Sequence, residues 1–146
     1  MHKLVAFLAA AALLSGCQTH DEALTTSSTP VAITAPAASA IAGDMASRLA
    51  EQIGLAGSTT TIRMERDASE FAVALEAALK GWGYSFIADG KVAKDTKSVE
   101  LAYAIEGFEG QILARVSTPS IALSRAYTPT AGGATPASPL SIMQRN

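Results

Sequence analysis

Cysteine and histidine are scarce in this chain. Its 146 residues include one cysteine, Cys17, and two histidines, His2 and His20. No disulfide can form within one chain, and the residues after His20 contain neither thiol nor imidazole. This excludes Ser-His-Asp and Cys-His nucleophilic sites and His/Cys zinc sites from the body of the chain. A glycine-rich phosphate-binding loop of either nucleotide-binding type is also absent from the sequence.

An excess of basic charge is lacking too. Lysine and arginine total 11 against 13 acidic residues, a net charge of −2. Nucleic-acid binding usually requires a basic patch or stripe, so no direct contact with nucleic acid is expected. Glu65, Asp67 and Glu70 cluster at a predicted helix start, where capping and the helix dipole account for them. We therefore predict no enzymatic activity: no catalytic residues, no metal, no small-molecule substrate and no cofactor other than a covalent lipid.

Long hydrophobic runs are missing except at the amino end. The run from Leu4 to Leu14 has eleven apolar residues and follows the basic Lys3. A membrane-spanning helix needs about 20 residues, so this run is too short to be one. A short apolar run with a basic start and small residues behind it fits a secretory signal peptide, here residues 1–16.

The tetrapeptide from Leu14 to Cys17, Leu-Ser-Gly-Cys, resembles a bacterial lipobox. The resemblance implies cleavage between Gly16 and Cys17, and lipidation of the Cys17 sulfur and of the new amino terminus. Two or more acyl chains give stable attachment to a membrane. Gln18, rather than aspartate, favours the outer membrane. We expect a lipid-anchored protein on its periplasmic face, the alternative being a buried structural cysteine or a chance match.

Proline is absent from residues 37–118 and frequent on either side. This distribution predicts a flexible linker over residues 17–40, a domain over residues 41–127 and a tail over residues 128–146. The linker and the tail are rich in Thr, Ser, Ala and Pro and have little apolar bulk to bury. A packed but irregular arm is the alternative for the linker.

Hydrophobic periodicity within residues 41–127 predicts two helices and several strands. The first helix is expected from Ile41 to Gly54, or from Met45 with Asp44 as its cap, and the second from Ala68 to Gly81. Strands are expected around residues 58–65 and 84–87 and at an edge over Ile121–Tyr127. A hairpin is expected over residues 99–117, with a turn at Gly107–Gly110. This order predicts an α+β fold, a two-layer sandwich of two helices on a mostly antiparallel sheet. The aromatic side chains expected in the core are Phe71, Trp82, Tyr84, Phe86 and Tyr103.

Four apolar residues are candidate contacts for a partner. Leu113 is apolar on the otherwise polar face of the predicted hairpin, and Leu140, Ile142 and Met143 stand in a polar tail. Single exposed apolar residues are common, so Leu113 also has an ordinary explanation. The tail residues have the alternative of being an unremarkable chain end.

The whole layout resembles a known family. The stretch Phe71-x3-Leu75-x3-Leu79-x3-Gly83-Tyr84 is similar to small envelope domains such as the N-terminal domains of secretins. Together with the lipobox, the linker, the Ala-rich helix and the ending Pro-Ala-Ser-Pro-Leu-Ser-Ile, it resembles the TrbH family of conjugal transfer lipoproteins. Only Cys17 carries over as a functional position.

The resemblance implies a structural role in mating-pair formation, in which the lipoprotein contacts type IV secretion subunits of the outer-membrane ring. Other kinds of envelope lipoprotein remain as alternatives: a secretin pilot or an activator of a cell-wall synthase. A cell-wall enzyme is disfavoured, because no acidic residue stands in an evident apolar pocket that would raise its pKa.

Overall fold

Two helices lie against one face of one mixed sheet. A computed structural model of the chain describes residues 27–28, 33–54, 60–65, 67–87 and 97–145. The elements are β1 (Ser27–Ser28), α1 (Ala35–Ile53), β2 (Thr60–Met64), α2 (Glu70–Gly81), β3 (Ser85–Phe86), β4 (Lys97–Phe108), β5 (Gln111–Ser117), β6 (Ile121–Thr130), β7 (Gly133–Pro136) and β8 (Ser141–Gln144). The strand order is β3-β2-β4-β5-β6-β7, with β1 beside β4 and β8 beside β6. The predicted fold class, two helices on a sheet, is confirmed.

Helix α1 begins at Ala35, six residues before the predicted start at Ile41. The Thr34 hydroxyl caps it by accepting a hydrogen bond from the Ala37 amide at 3.3 Å. Pro36 stands in the first turn, where a helix tolerates proline because the amides there have no helical partner. The last part of the predicted linker is therefore helix, and Asp44 lies within α1 instead of capping it.

Helix α2 begins at Glu70, with Ser69 as its cap instead of the predicted Asp67. The Ser69 hydroxyl accepts a hydrogen bond from the Ala72 amide at 3.1 Å. The carboxylate of Asp67 instead accepts hydrogen bonds from the Ser69 amide, at 2.8 Å, and from the Tyr103 hydroxyl of β4. The Asp67 side chain thus ties the start of α2 to the sheet.

The sheet is parallel at one side and antiparallel at the other. β2 pairs in parallel with both β3 and β4, and α2 forms the crossover from β2 to β3. From β4 onward the chain forms antiparallel pairs, β4–β5 and β5–β6. The strand at Ile121–Thr130, predicted at an edge, lies inside the sheet because later strands pair along its other side.

The hairpin between β4 and β5 is tighter than predicted. Its turn is Glu109–Gly110, and Phe108 pairs with Gln111. Both turn residues have positive φ, 48° and 78°, as the type I′ turn of a two-residue hairpin requires. Tyr103 pairs with Val116 instead of Ala114. Because side chains alternate with period two, this shift of two residues leaves each side chain on its predicted face.

The core lies between the helices and the sheet. Four of the five predicted core aromatics are buried or partly buried, and the rings of Phe71 and Tyr103 pack with centroids 5.4 Å apart. Trp82 is the exception, since 41% of it is exposed. Trp82 is the C-cap of α2, one position after the last helical residue, Gly81, so its side chain does not continue the buried stripe of the helix.

The predicted C-terminal tail is part of the sheet. β6 continues to Thr130, a two-residue turn leads into β7, and β8 follows. β7 pairs with residues 127–130 of β6, and β8 pairs with residues 121–124. Prolines do not prevent this arrangement, because an edge strand can place a residue without an N–H where no ladder bond is needed.

Ser138 bridges the break between β7 and β8. Its hydroxyl accepts a hydrogen bond from the Ala126 amide at 2.9 Å, and its carbonyl accepts one from Arg125 Nε at 3.0 Å. The Ala137 amide donates to the Ala126 carbonyl at 2.8 Å. These contacts satisfy both backbone groups of Ala126, which pairs with neither β7 nor β8, and the Nε of Arg125.

Asp44 joins helix α1 to the C-terminal half of the sheet. Its Oδ2 accepts hydrogen bonds from the Tyr127 hydroxyl at 2.7 Å and from Arg125 Nη1 at 3.0 Å. Tyr127 is 1% exposed, and burial followed by the bond to Asp44 raises the pKa of its hydroxyl. Asp44 therefore satisfies a buried phenol and a partly buried guanidinium at once.

We predict that Asp44→Ala destabilises the domain by about 2 to 3 kcal/mol, because it leaves Arg125 and Tyr127 without their acceptor. The loss stays below that of a fully buried pair, since the side chains of Arg125 and Asp44 are 17% and 23% exposed. Arg48→Ala is the control: the Arg48 side chain is 40% exposed and pairs with Asp44 at 3.6 Å and with Glu51 at 3.2 Å, so its loss should change the stability far less. Urea unfolding of both variants measures the difference, and equal losses would contradict the role given to Asp44.

Asp67 gives the fold a defined sensitivity to acid. Burial raises the pKa of its carboxyl, but the hydrogen bonds from Ser69 and Tyr103 outweigh burial, so the net pKa lies below the ordinary value. A carboxyl with a depressed folded pKa stabilises fully above its unfolded pKa and loses that contribution as the pH falls through the folded pKa. We expect Asp67→Asn to reduce the loss of stability as the pH falls below about 4.

Thermal unfolding across this pH range tests the assignment, with Glu109→Gln as a control at the distant hairpin turn. An unchanged slope in Asp67→Asn would show that other carboxyls cause the acid sensitivity.

Candidate docking surface

The C-terminal strand β8 presents apolar side chains at the edge of the sheet. Ile142 is 44% exposed and Met143 is 59% exposed. They pair with Leu123 and Ala122 of β6, so they point to opposite faces of the sheet. Both side chains lie within reach of a partner that approaches this edge.

The edge formed by β8 carries few of the features that block strand addition. Residues 141–144 contain no charge and no proline, whereas edge strands are commonly protected by lysine, proline or a bulge. Among the described strands, β8 pairs only with β6, so its other side has no strand neighbour. An extended segment of another chain can therefore pair along β8, with the backbone providing hydrogen bonds and the exposed side chains providing contact area.

Leu140 has a different role from its neighbours. It is partly buried and packs against the hydrophobic core. Its side chain therefore holds the start of β8 against the domain. Of the three apolar tail residues singled out by the sequence, the structure leaves two, Ile142 and Met143, exposed at the edge.

Leu113 lies on the face of the sheet opposite the helices. It is partly buried in a shallow depression whose other lining residues are Ala104, Glu106 and Arg115. It pairs with Ala126 of β6, whereas Met143 pairs with Ala122. Leu113 and Met143 therefore share a face but stand four residues apart along β6, and the structure does not bring them into one contiguous contact.

The predicted lipidation site and the cleavage site, Gly16 and Cys17, lie outside the described residues. Within the described ranges, no helix is long and apolar enough to cross a membrane. The same part of the chain contains no cluster of three or more His, Cys, Asp or Glu side chains that could hold a metal ion.

Two features were not predicted from the sequence: the exposure of Phe108 and the contacts of Asp44. Phe108 was expected within a turn, but it ends β4 with its side chain 70% exposed. Asp44 was expected within α1 or, in the alternative of a shorter helix, as its cap, but its contacts with Arg125 and Tyr127 were not predicted. The available signals were the Glu-Gly pair that follows Phe108, which suits a two-residue turn, and the position of Arg125 and Tyr127 on one strand face.

Comparisons with known proteins agree on one family. The family described as "Conjugal transfer protein TrbH" matches residues 19–146. A relative from Sinorhizobium fredii (strain NBRC 101917 / NGR234), named "Probable conjugal transfer protein TrbH", is 67% identical over 149 residues and covers 100% of each chain. No solved structure matches. The chain belongs to the TrbH family of conjugal transfer proteins, and the name of the family refers to conjugal transfer and to no reaction.

We predict that substitutions of Leu140 and Met143 affect stability differently, because Leu140 packs against the core and Met143 is exposed. Leu140→Ser should lower the melting temperature, because it removes apolar contact from the core and places a hydroxyl there. Met143→Asp should leave the melting temperature nearly unchanged, since surface substitutions usually change stability by less than about 0.5 kcal/mol. Circular dichroism melting of the two variants gives the comparison, and an equal or larger loss in Met143→Asp would show that β8 depends on that side chain.

Proposed function

We propose that this chain is an outer-membrane lipoprotein that acts as a structural subunit in assembly of a conjugative type IV secretion apparatus. The observation that carries the proposal is the tetrapeptide Leu14-Ser15-Gly16-Cys17 in a chain of the TrbH family. Family membership supports a role in conjugal transfer. The tetrapeptide, directly behind an apolar run, supports cleavage before Cys17 and attachment through its lipidated sulfur.

This attachment limits the distance between the domain and the membrane. Residues 18–26 link the lipidated Cys17 to the domain, because the chain joins the sheet at Ser27, where β1 pairs with β4. These nine residues reach at most about 30 Å when fully extended. The domain therefore works in the periplasm close to the membrane that holds it, where larger channel subunits can contact it.

The edge of β8 is the surface proposed for that contact. It offers backbone groups without a strand neighbour in the described sheet and two exposed apolar side chains, Ile142 and Met143. A partner strand added there extends the sheet and covers both side chains. The partners proposed are other secretion-channel subunits of the outer-membrane ring, including those that form the ring itself.

Replacement of Cys17 by serine tests the attachment. The Cys17→Ser chain should remain unprocessed and should incorporate no labelled palmitate, because a hydroxyl lacks the nucleophilicity of the thiolate. Conjugation frequency should fall with it. Ser15→Ala is the control, since it keeps the residue small and should be processed and labelled normally. Label entering Cys17→Ser, or failing to enter the natural chain, would contradict the proposal.

Co-purification from detergent-solubilised donor membranes tests the assembly role. The full chain should recover other subunits of the transfer apparatus, and Met143→Asp should reduce that recovery while the chain itself remains folded and lipidated. Recovery of a cell-wall synthase or a secretin in place of transfer subunits would contradict the proposal and favour another class of envelope lipoprotein.

A further inference from the structure

The most exposed large apolar side chain among the described residues belongs to Phe108, which is 70% exposed. It ends β4 and pairs with Gln111 at the start of β5, at the tip of the β4–β5 hairpin. A side chain so exposed buries little surface within its own domain, so its phenyl ring adds little to folding. A large aromatic ring that projects from a surface is the kind of group that anchors protein–protein contacts.

The hairpin holds this ring in a fixed position. Strands β4 and β5 pair without interruption from Ala102–Ser117 to Phe108–Gln111. Glu109 and Gly110 then close the turn with positive φ at both positions, the geometry in which a two-residue turn follows the natural twist of the strands. The ring therefore loses little backbone freedom on binding, which favours its use as an anchor.

Two acidic residues flank Phe108 in the hairpin. Glu106 lies two residues before Phe108 on the same face of β4, and Glu109 follows it in the turn. Both are exposed, and within the described part of the chain neither lies within ion-pair distance of a basic side chain. Arg115 lies on the same face, two positions farther from the turn than Glu106. The hairpin tip, which we define as Glu106, Phe108 and Glu109, thus combines an apolar centre with a negative border on the side of the turn.

We propose that the hairpin tip docks into a second protein subunit of the transfer apparatus, through an apolar socket for Phe108 bordered by lysine or arginine. The negative border supports a protein socket of this kind over the membrane surface, because anionic lipid headgroups repel the two carboxylates. Basic groups at the rim of the socket pair with Glu106 and Glu109, which orients the tip and speeds association. This inference rests on the proposed function, which supplies the apparatus to which the partner belongs.

The hairpin tip and the β8 edge lie at opposite ends of β6. Ile112, next to the tip, pairs with Tyr127, whereas Met143 of β8 pairs with Ala122. Five residues of antiparallel strand span about 17 Å, so the two surfaces are separated by at least that distance along the strand. A single domain can therefore hold one partner at the tip and another at the edge.

Site-specific photocrosslinking in donor cells tests this inference with the full lipidated chain. The photoreactive amino acid benzoylphenylalanine replaces Phe108 in one variant and Val73 in the control. Val73 is 60% exposed on α2 and lies outside both proposed surfaces. The variant at position 108 should crosslink to another protein of the transfer apparatus, identified by mass spectrometry, and the variant at position 73 should not.

Charge reversal provides the second arm of the test. Glu106→Lys together with Glu109→Lys should reduce the crosslink at position 108 roughly tenfold, the effect expected when like charges meet at an interface. Glu65→Lys, an exposed position directly after β2, is the control and should leave the yield unchanged. In the otherwise natural chain, Phe108→Ala should reduce recovery of the same partner by a similar factor.

Each outcome decides the inference. Crosslinks from position 108 to phospholipid, crosslinks only to a second copy of this chain, no crosslink, or a yield insensitive to charge reversal would each overturn it. If transfer subunits still co-purify in those cases, the proposed function stands and only the docking role of the tip fails. If no transfer subunit co-purifies at all, the proposed function fails as well.

Discussion

The carboxylate of Asp44 connects the helix layer to the part of the sheet that the C-terminal residues complete. It accepts hydrogen bonds from Tyr127 and Arg125, and Arg125 in turn donates to the Ser138 carbonyl at the break between β7 and β8. One acidic group in the middle of α1 thus holds β6 in register with the strands that flank it. The position of the β8 edge depends on that register, because β8 pairs with β6.

This arrangement explains how a small domain can serve as a connector. Its helices and core occupy one face of the sheet, which leaves an uncharged strand at one edge and an aromatic ring at the end of one hairpin. The family relation places the chain in conjugal transfer. With the lipid anchor and the two docking surfaces that we propose, such a domain would be suited to joining subunits of a larger apparatus.

Periodicity in the sequence was sufficient for both helices, for β2 and for the faces of the central hairpin, because those elements bury one continuous apolar stripe. It was insufficient for the C-terminal strands. Pro136 and Pro139 suggested a break, but Ser138 between them supplies the hydrogen bonds that the strands cannot. Ile142 and Met143 were found from the sequence as isolated apolar residues, whereas Phe108 was missed because the turn was predicted over four residues, Gly107–Gly110, and began two residues too early.

The C-terminal residues are a folded part of the sheet, and we propose that they carry a docking edge. Amide hydrogen exchange on the full chain, followed residue by residue, tests their place in the sheet most directly. The amides of β6 and of Ala137, which donates to Ala126, should exchange far more slowly than in an unfolded peptide, with lower protection in Asp44→Ala. Exchange of residues 133–144 at unfolded rates in the natural chain would contradict the account.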